Sequence, residues 1–105
     1  MNVEQFRLYL SKKYTNQRVI CDAISRCKRV AKFEGDLDNH FKTDQGKSLL
    51  ERLTYSKKDV ELQIEPKHSI NIKGTKGYVS IYEGTSSLYR AVEQYFVYKK
   101  SKSIK

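Results

Sequence analysis

The residues able to do covalent or metal chemistry are few and scattered in this 105-residue chain. A nucleophilic thiol needs a neighbouring base, and Cys21 and Cys27 have no histidine at a telling spacing. His40 and His68 stand alone, so the metal-ligand patterns of zinc sites are missing from the sequence. On a shared helix, Cys21 and Cys27 would be separated by about 9 Å of rise, too far for an intrahelical disulfide. Reduced thiols therefore fit best, which suggests the cytoplasm.

The other chemical patterns fall away in the same manner. Gly74-Thr75-Lys76-Gly77 lacks the spacing of a phosphate-cradling P-loop. Asp36 and Asp38 read as a helix start rather than a metal site. Asp59, Glu61 and Glu65 alternate without the lysine that would complete a nuclease signature. None of the eight tyrosines is marked as a nucleophile by a cluster of arginine and histidine. The sequence predicts no enzymatic activity and no cofactor.

What stands out is charge of one sign. The chain carries 21 basic and 12 acidic side chains, a formal net charge of +9. Residues 1–35 and 66–105 hold most of the excess, and the stretch between them is mildly acidic. Two basic ends that meet in space would form one polyanion-attracting surface. Eight tyrosines and four phenylalanines set the chain apart from a disordered one. No apolar stretch is long enough to span a membrane, and no signal-peptide core follows Met1.

The elements that must position these charges are helical. Val3, Phe6 and Leu10 recur at helical spacing over residues 3–13. Thr15 or Asn16 starts a second helix running to about Phe33, with Gly35 as its stop. Its apolar stripe is Val19, Ile20, Ala23, Ile24, Cys27, Val30 and Ala31. The opposite face carries Arg18, Asp22, Arg26, Arg29 and Lys32, and a helix of this kind fits a DNA major groove. Asp36 caps a turn holding Leu37 and Phe41. A further helix is expected over 44–56, with Leu49, Leu50 and Leu53 inward and Gly46 weakening its first turn.

Residues 57–84 allow either a long loop or a short β-hairpin, punctuated by Gly74 and Gly77. Lys67, Lys73 and Lys76 make this stretch basic. Tyr78 and Tyr82 would either stack on bases or fold the loop onto the core. The last helix is expected to start near Thr85, Ser86 or Ser87. Its inward face is Leu88, Val92, Tyr95 and Phe96, with Arg90, Lys99 and Lys100 as its charges. Ser101–Lys105 reads as a frayed tail. The expected fold is mainly α, one domain over residues 1–105. It is a bundle of four or five helices with an irregular or β-like insertion before the last.

The order of these motifs is similar to a known family. Phe6-Arg7-Leu8-Tyr9-Leu10, the long helix closing on Phe33-Glu34-Gly35, and the final Ser87…Ala91…Tyr95-Phe96 pattern resemble the SAM-like core-binding domain of phage integrases, the tyrosine recombinases. The resemblance implies a helical bundle that clamps duplex DNA during recombination, its second and last helices against the major groove. Carried over, it points to Arg18, Arg26, Arg29 and Lys32, and to Arg90 and Lys99. The catalytic domain of that family has no counterpart in these residues, so an excised domain and a stand-alone relative both fit. The sequence thus predicts a non-catalytic module binding nucleic acid, duplex DNA first. The predicted contacts are Arg18, Arg26, Arg29, Lys32, Lys73, Lys76, Tyr78, Tyr82, Arg90 and Lys99. The competing reading is a protein-interaction adaptor or inhibitor encoded by a mobile element, anchored on its tyrosines.

Overall fold

A computed structural model describes residues 1–103 of the chain. Helix α1 (Val3–Lys13) begins where the Asn2 side chain accepts the Gln5 N–H. Asn16 does the same for Arg18 at the start of α2 (Gln17–Glu34). Gly35 ends α2 with φ +95°, in the region that favours glycine. Asp36 caps α3 (Leu37–Asp44) as its side chain predicts. Short helices α4 (Lys47–Arg52) and α5 (Lys57–Glu61) follow, the second held by a reciprocal capping box between Ser56 and Asp59. Helix α6 (Tyr78–Ser103) is the longest. The fold is all-helical among the described residues, which confirms the mainly α expectation.

Helices α2 and α6 form the central pair, with α1 and α4 against them. The core is Phe6, Leu10, Ile20, Ile24, Val30, Leu37, Leu49, Leu53, Leu88, Val92, Tyr95 and Phe96. Tyr95 meets Phe6 edge-on at 5.0 Å, so the aromatic stripe of α6 is core, as its spacing implies. Val19, placed by periodicity on the apolar stripe, is 42% exposed at the border of α2.

Three boundaries differ from expectation. The helix expected over 44–56 is only α4, because Gln45 and Gly46 both turn left-handed and split it from α3. Gly46 is therefore the turn itself, not a weak point inside a first turn. Asp44 ends α3, and its carboxylate accepts the Gly46 and Ser48 N–H groups, helping to seat the start of α4. The insertion at 57–84 resolves into α5, an irregular segment over 62–77 and the first two turns of α6; it contains no strand. The last helix starts at Tyr78 rather than near Thr85. Local propensity hides those two turns; the Ser80 hydroxyl accepts the Lys76 N–H at 2.9 Å at their start, and a contact from farther along the chain packs against their end. Ile72 lies so close to Gly84 that an added Cβ would approach its Cγ2 to 2.7 Å. Ser101–Ser103 continue the helix, while Ile104 and Lys105 lie outside the described residues.

The irregular segment is fastened through Glu34, whose side chain is 7% exposed. One carboxylate oxygen accepts Arg52 Nε at 2.8 Å; the other accepts the Ser69 N–H at 3.0 Å and its hydroxyl at 2.5 Å. Burial raises the Glu34 pKa, but the bonds from Ser69 and Arg52 outweigh it and leave the carboxyl below its ordinary value. Glu34→Ala would leave a guanidinium and a backbone N–H without their acceptor. The expected loss is about 2 kcal/mol, the half-exposed Arg52 being discounted for solvent. Urea unfolding of the variant measures it; an unchanged midpoint would remove Glu34 as the fastening point.

Candidate nucleic-acid interface

The candidate interface is built on the α2–α6 pair. The two helices pack so that the Cys27 thiol donates to the Ala91 carbonyl at 3.3 Å. Burial pushes that thiol up to about 12, which leaves it protonated and inert. Cys21 is exposed and forms no disulfide with Cys27. Along one side of the seam runs a groove of about 290 Å³, with Ala23 and Ala91 low in it and Arg26 and Arg90 on opposite banks. It adjoins a second cavity of about 380 Å³ lined by Lys73, Lys76, Ser80 and Gly84. Ser87 borders both, and Ser80, Gly84, Ser87, Ala91 and Gln94 follow one another at helical period along α6, so the two hollows lie end to end on one face of that helix as a shallow trough.

Four of the ten sequence-predicted residues line it, Arg26, Lys73, Lys76 and Arg90, and a fifth, Arg29, stands behind it. Arg26 and Arg90 are exposed, and among the described residues neither has an acidic partner at salt-bridge distance. Arg29 is half-buried and donates to the Asn71 carbonyl, pinning the irregular segment against α2. That contact helps carry Lys73 and Lys76 to the trough. Lys76 reaches Glu83 at 3.9 Å, but both side chains are well exposed, so the pair is weak.

The other five are placed elsewhere. Arg18 and Lys32 stand on the solvent side of α2, outside the trough, with Lys32 lying 5.7 Å from the Phe33 ring centre. Tyr78 and Ser80 are two residues apart on a helix, so they point to nearly opposite sides. Tyr78 thus faces away from the lysine cavity, and its hydroxyl donates to Glu65 at 2.9 Å. Of the two readings left open for this tyrosine, folding the loop is the one its contact fits. Tyr82, one turn on, is half-buried on that same side. Lys99 belongs to another cluster, 3.5 Å from Asp38, which also accepts the Tyr95 hydroxyl and lies 3.0 Å from the Met1 amino group.

Sequence reasoning missed Ser80, Ser87 and Gln94 as members of one wall. They recur at helical period with Glu83, Arg90 and Ala91, a polar stripe visible only once α6 is extended back to Tyr78. It also missed His68, which is 6% exposed. Its Nδ1 accepts the Ile70 N–H at 3.2 Å, so the ring proton sits on Nε2 and donates to Thr85 Oγ1 at 2.9 Å. This neutral imidazole clips the lysine-bearing segment to α6.

Burial lowers the His68 pKa below its ordinary 6.5, against an opposing pull from Glu34. The unfolded chain then binds a proton at a higher pH than the folded one. Stability is fully present above about pH 6.5 and falls as pH drops from there toward the folded value. Urea midpoints at pH 7.5 and pH 5.5 should differ for the native chain and converge for His68→Gln. Equal differences in both proteins would assign the pH dependence to other groups. Glu34, Asp38 and Asp44 have lowered pKa values, so their contributions are lost only in a more acidic range.

Fold and trough define an all-helical module with a basic seam. Among the described residues no group of acidic, histidine and cysteine side chains could hold a metal ion. No helix among them is long and apolar enough to cross a membrane. No family model matches the chain, and searches of curated proteins and of solved structures give no match.

Proposed function

We propose that the chain is a non-catalytic nucleic-acid-binding module, and that the α2–α6 trough is its contact surface. The observation that carries this reading is the convergence of Arg26, Lys73, Lys76 and Arg90 from three separate segments, with Glu83 as the acidic side chain lining the trough. Arg26 and Arg90 have no acidic partner among the described residues and the Lys76–Glu83 pair is weak, so cations clustered here attract phosphates more than they stabilise the fold. Phosphate contacts of this type position a strand and carry no sequence information. Binding by the second and last helices also agrees with the resemblance to integrase core-binding domains, with the lysine-bearing segment as an added contact.

The test is fluorescence anisotropy with labelled duplex DNA across a salt series. Each phosphate contact should contribute about 0.9 to the slope of log affinity against log salt. About four contacts would therefore give a steep fall, whereas an adaptor anchored by tyrosines would hold its protein partner with little salt dependence. Failure to bind DNA at low salt would overturn the proposal.

A further inference from the structure

The shape of the trough says more than its charge. Phosphates of a duplex can be met by charges on a flat surface, whereas here the charges line two shallow, neighbouring hollows. The groove between α2 and α6 is near the lower end of small-ligand sites in volume. Small Ala23 and Ala91 leave room within it, and Val19, 42% exposed, gives it an apolar flank. Arg26 lines it from α2 and Arg90 from α6, and neither has an acidic partner among the described residues. A planar guanidinium stacks on a ring face as readily as it binds a phosphate. Gln94 closes one end of the groove. Its amide nitrogen donates to the Tyr14 hydroxyl, which leaves the amide oxygen as an acceptor for a base amino group. Past Ser87, the second cavity offers Lys73 and Lys76.

We propose that this trough seats an unpaired nucleotide, with its base between Arg26 and Arg90 and its phosphate at Lys73 and Lys76. The inference rests on the nucleic-acid reading and deepens it. A base inside a duplex is stacked on both faces and cannot enter the groove. The preferred ligand is therefore a strand with unpaired residues: a single strand, a gap or an unpaired end.

The experiment compares three labelled probes of about 12 nucleotides, a length within the range of single-strand site sizes. They are oligothymidine, a blunt duplex, and that duplex carrying a one-nucleotide gap. The single strand and the gapped duplex should bind about tenfold tighter than the blunt duplex, the effect of stacking one base. The double variant Arg26→Lys, Arg90→Lys keeps both charges and removes both planes. It should lose that preference with its salt slope and thermal midpoint unchanged. Equal affinity of the native chain for all three probes overturns the inference and leaves the phosphate-binding reading standing. An equal loss on all three probes in the lysine variant overturns it too, because stacking would then play no part. Failure of the native chain to bind any probe overturns both readings.

Discussion

Gly46→Ala is expected to destabilise the protein by about 3 kcal/mol, from left-handed strain of about 1 kcal/mol and an overpacking cost of similar or larger size. The residue sits at φ +80° between α3 and α4. Its N–H is taken by the His40 carbonyl and the Asp44 carboxylate, so the turn cannot shift without losing both bonds. A Cβ there would enter the ring of Phe96, which is 2% exposed and stacked on Phe41 at 6.0 Å. The ring has nowhere to go in a packed core. Chemical denaturation measures the loss. Pairing the change with Phe96→Leu should recover part of it, since one site makes the room the other needs. A midpoint within experimental error of the native chain would mean that this turn does not press on α6.

Arg26→Glu combined with Arg90→Glu should weaken DNA binding roughly 100-fold at low salt and flatten the salt slope by about two units. Both side chains are exposed and lack acidic partners among the described residues, so reversing them should leave the fold intact. Arg29 is a poorer choice, because its bond to Asn71 makes it part of the scaffold. The matched control is Arg18→Glu with Lys32→Glu on the outer face of α2. It alters net charge equally but lies outside the trough, so its effect should be much smaller. Equal losses from the two pairs would show that affinity follows net charge and not the trough.

The legible part of the molecule was the part whose order is local. The stripe of α2 and its Asn16 and Gly35 boundaries follow from periodicity and capping alone. So does the inward set of α6 from Leu88 to Phe96. The first two turns of α6 were not legible. Glycine and β-branched residues disfavour a helix there, and contacts from residues far along the chain, Ile72 and His68 among them, sustain it. Thr85, which looks like an N-cap, is instead fully buried inside the helix against His68.

The candidate site shows the same division. Arg26, Arg29 and Arg90 announce themselves by type and helix face. That Arg26 and Arg90 share one groove depends on how α2 packs on α6, which no spacing records. Arg18 and Lys32 share a helix face with Arg26, yet the trough lies along the edge of that face, not its centre. Lys99 has the right charge and helix, but Asp38 holds it at another part of the molecule.

The most direct test of the central claim is a map of amide chemical shifts in a ¹⁵N-labelled sample titrated with DNA. The largest changes should fall on Arg26, Arg29, Lys73, Lys76, Ser87 and Arg90, with the Asp38–Lys99 end and the outer face of α2 unmoved. Changes centred on those two regions, or none at saturating DNA, would contradict it.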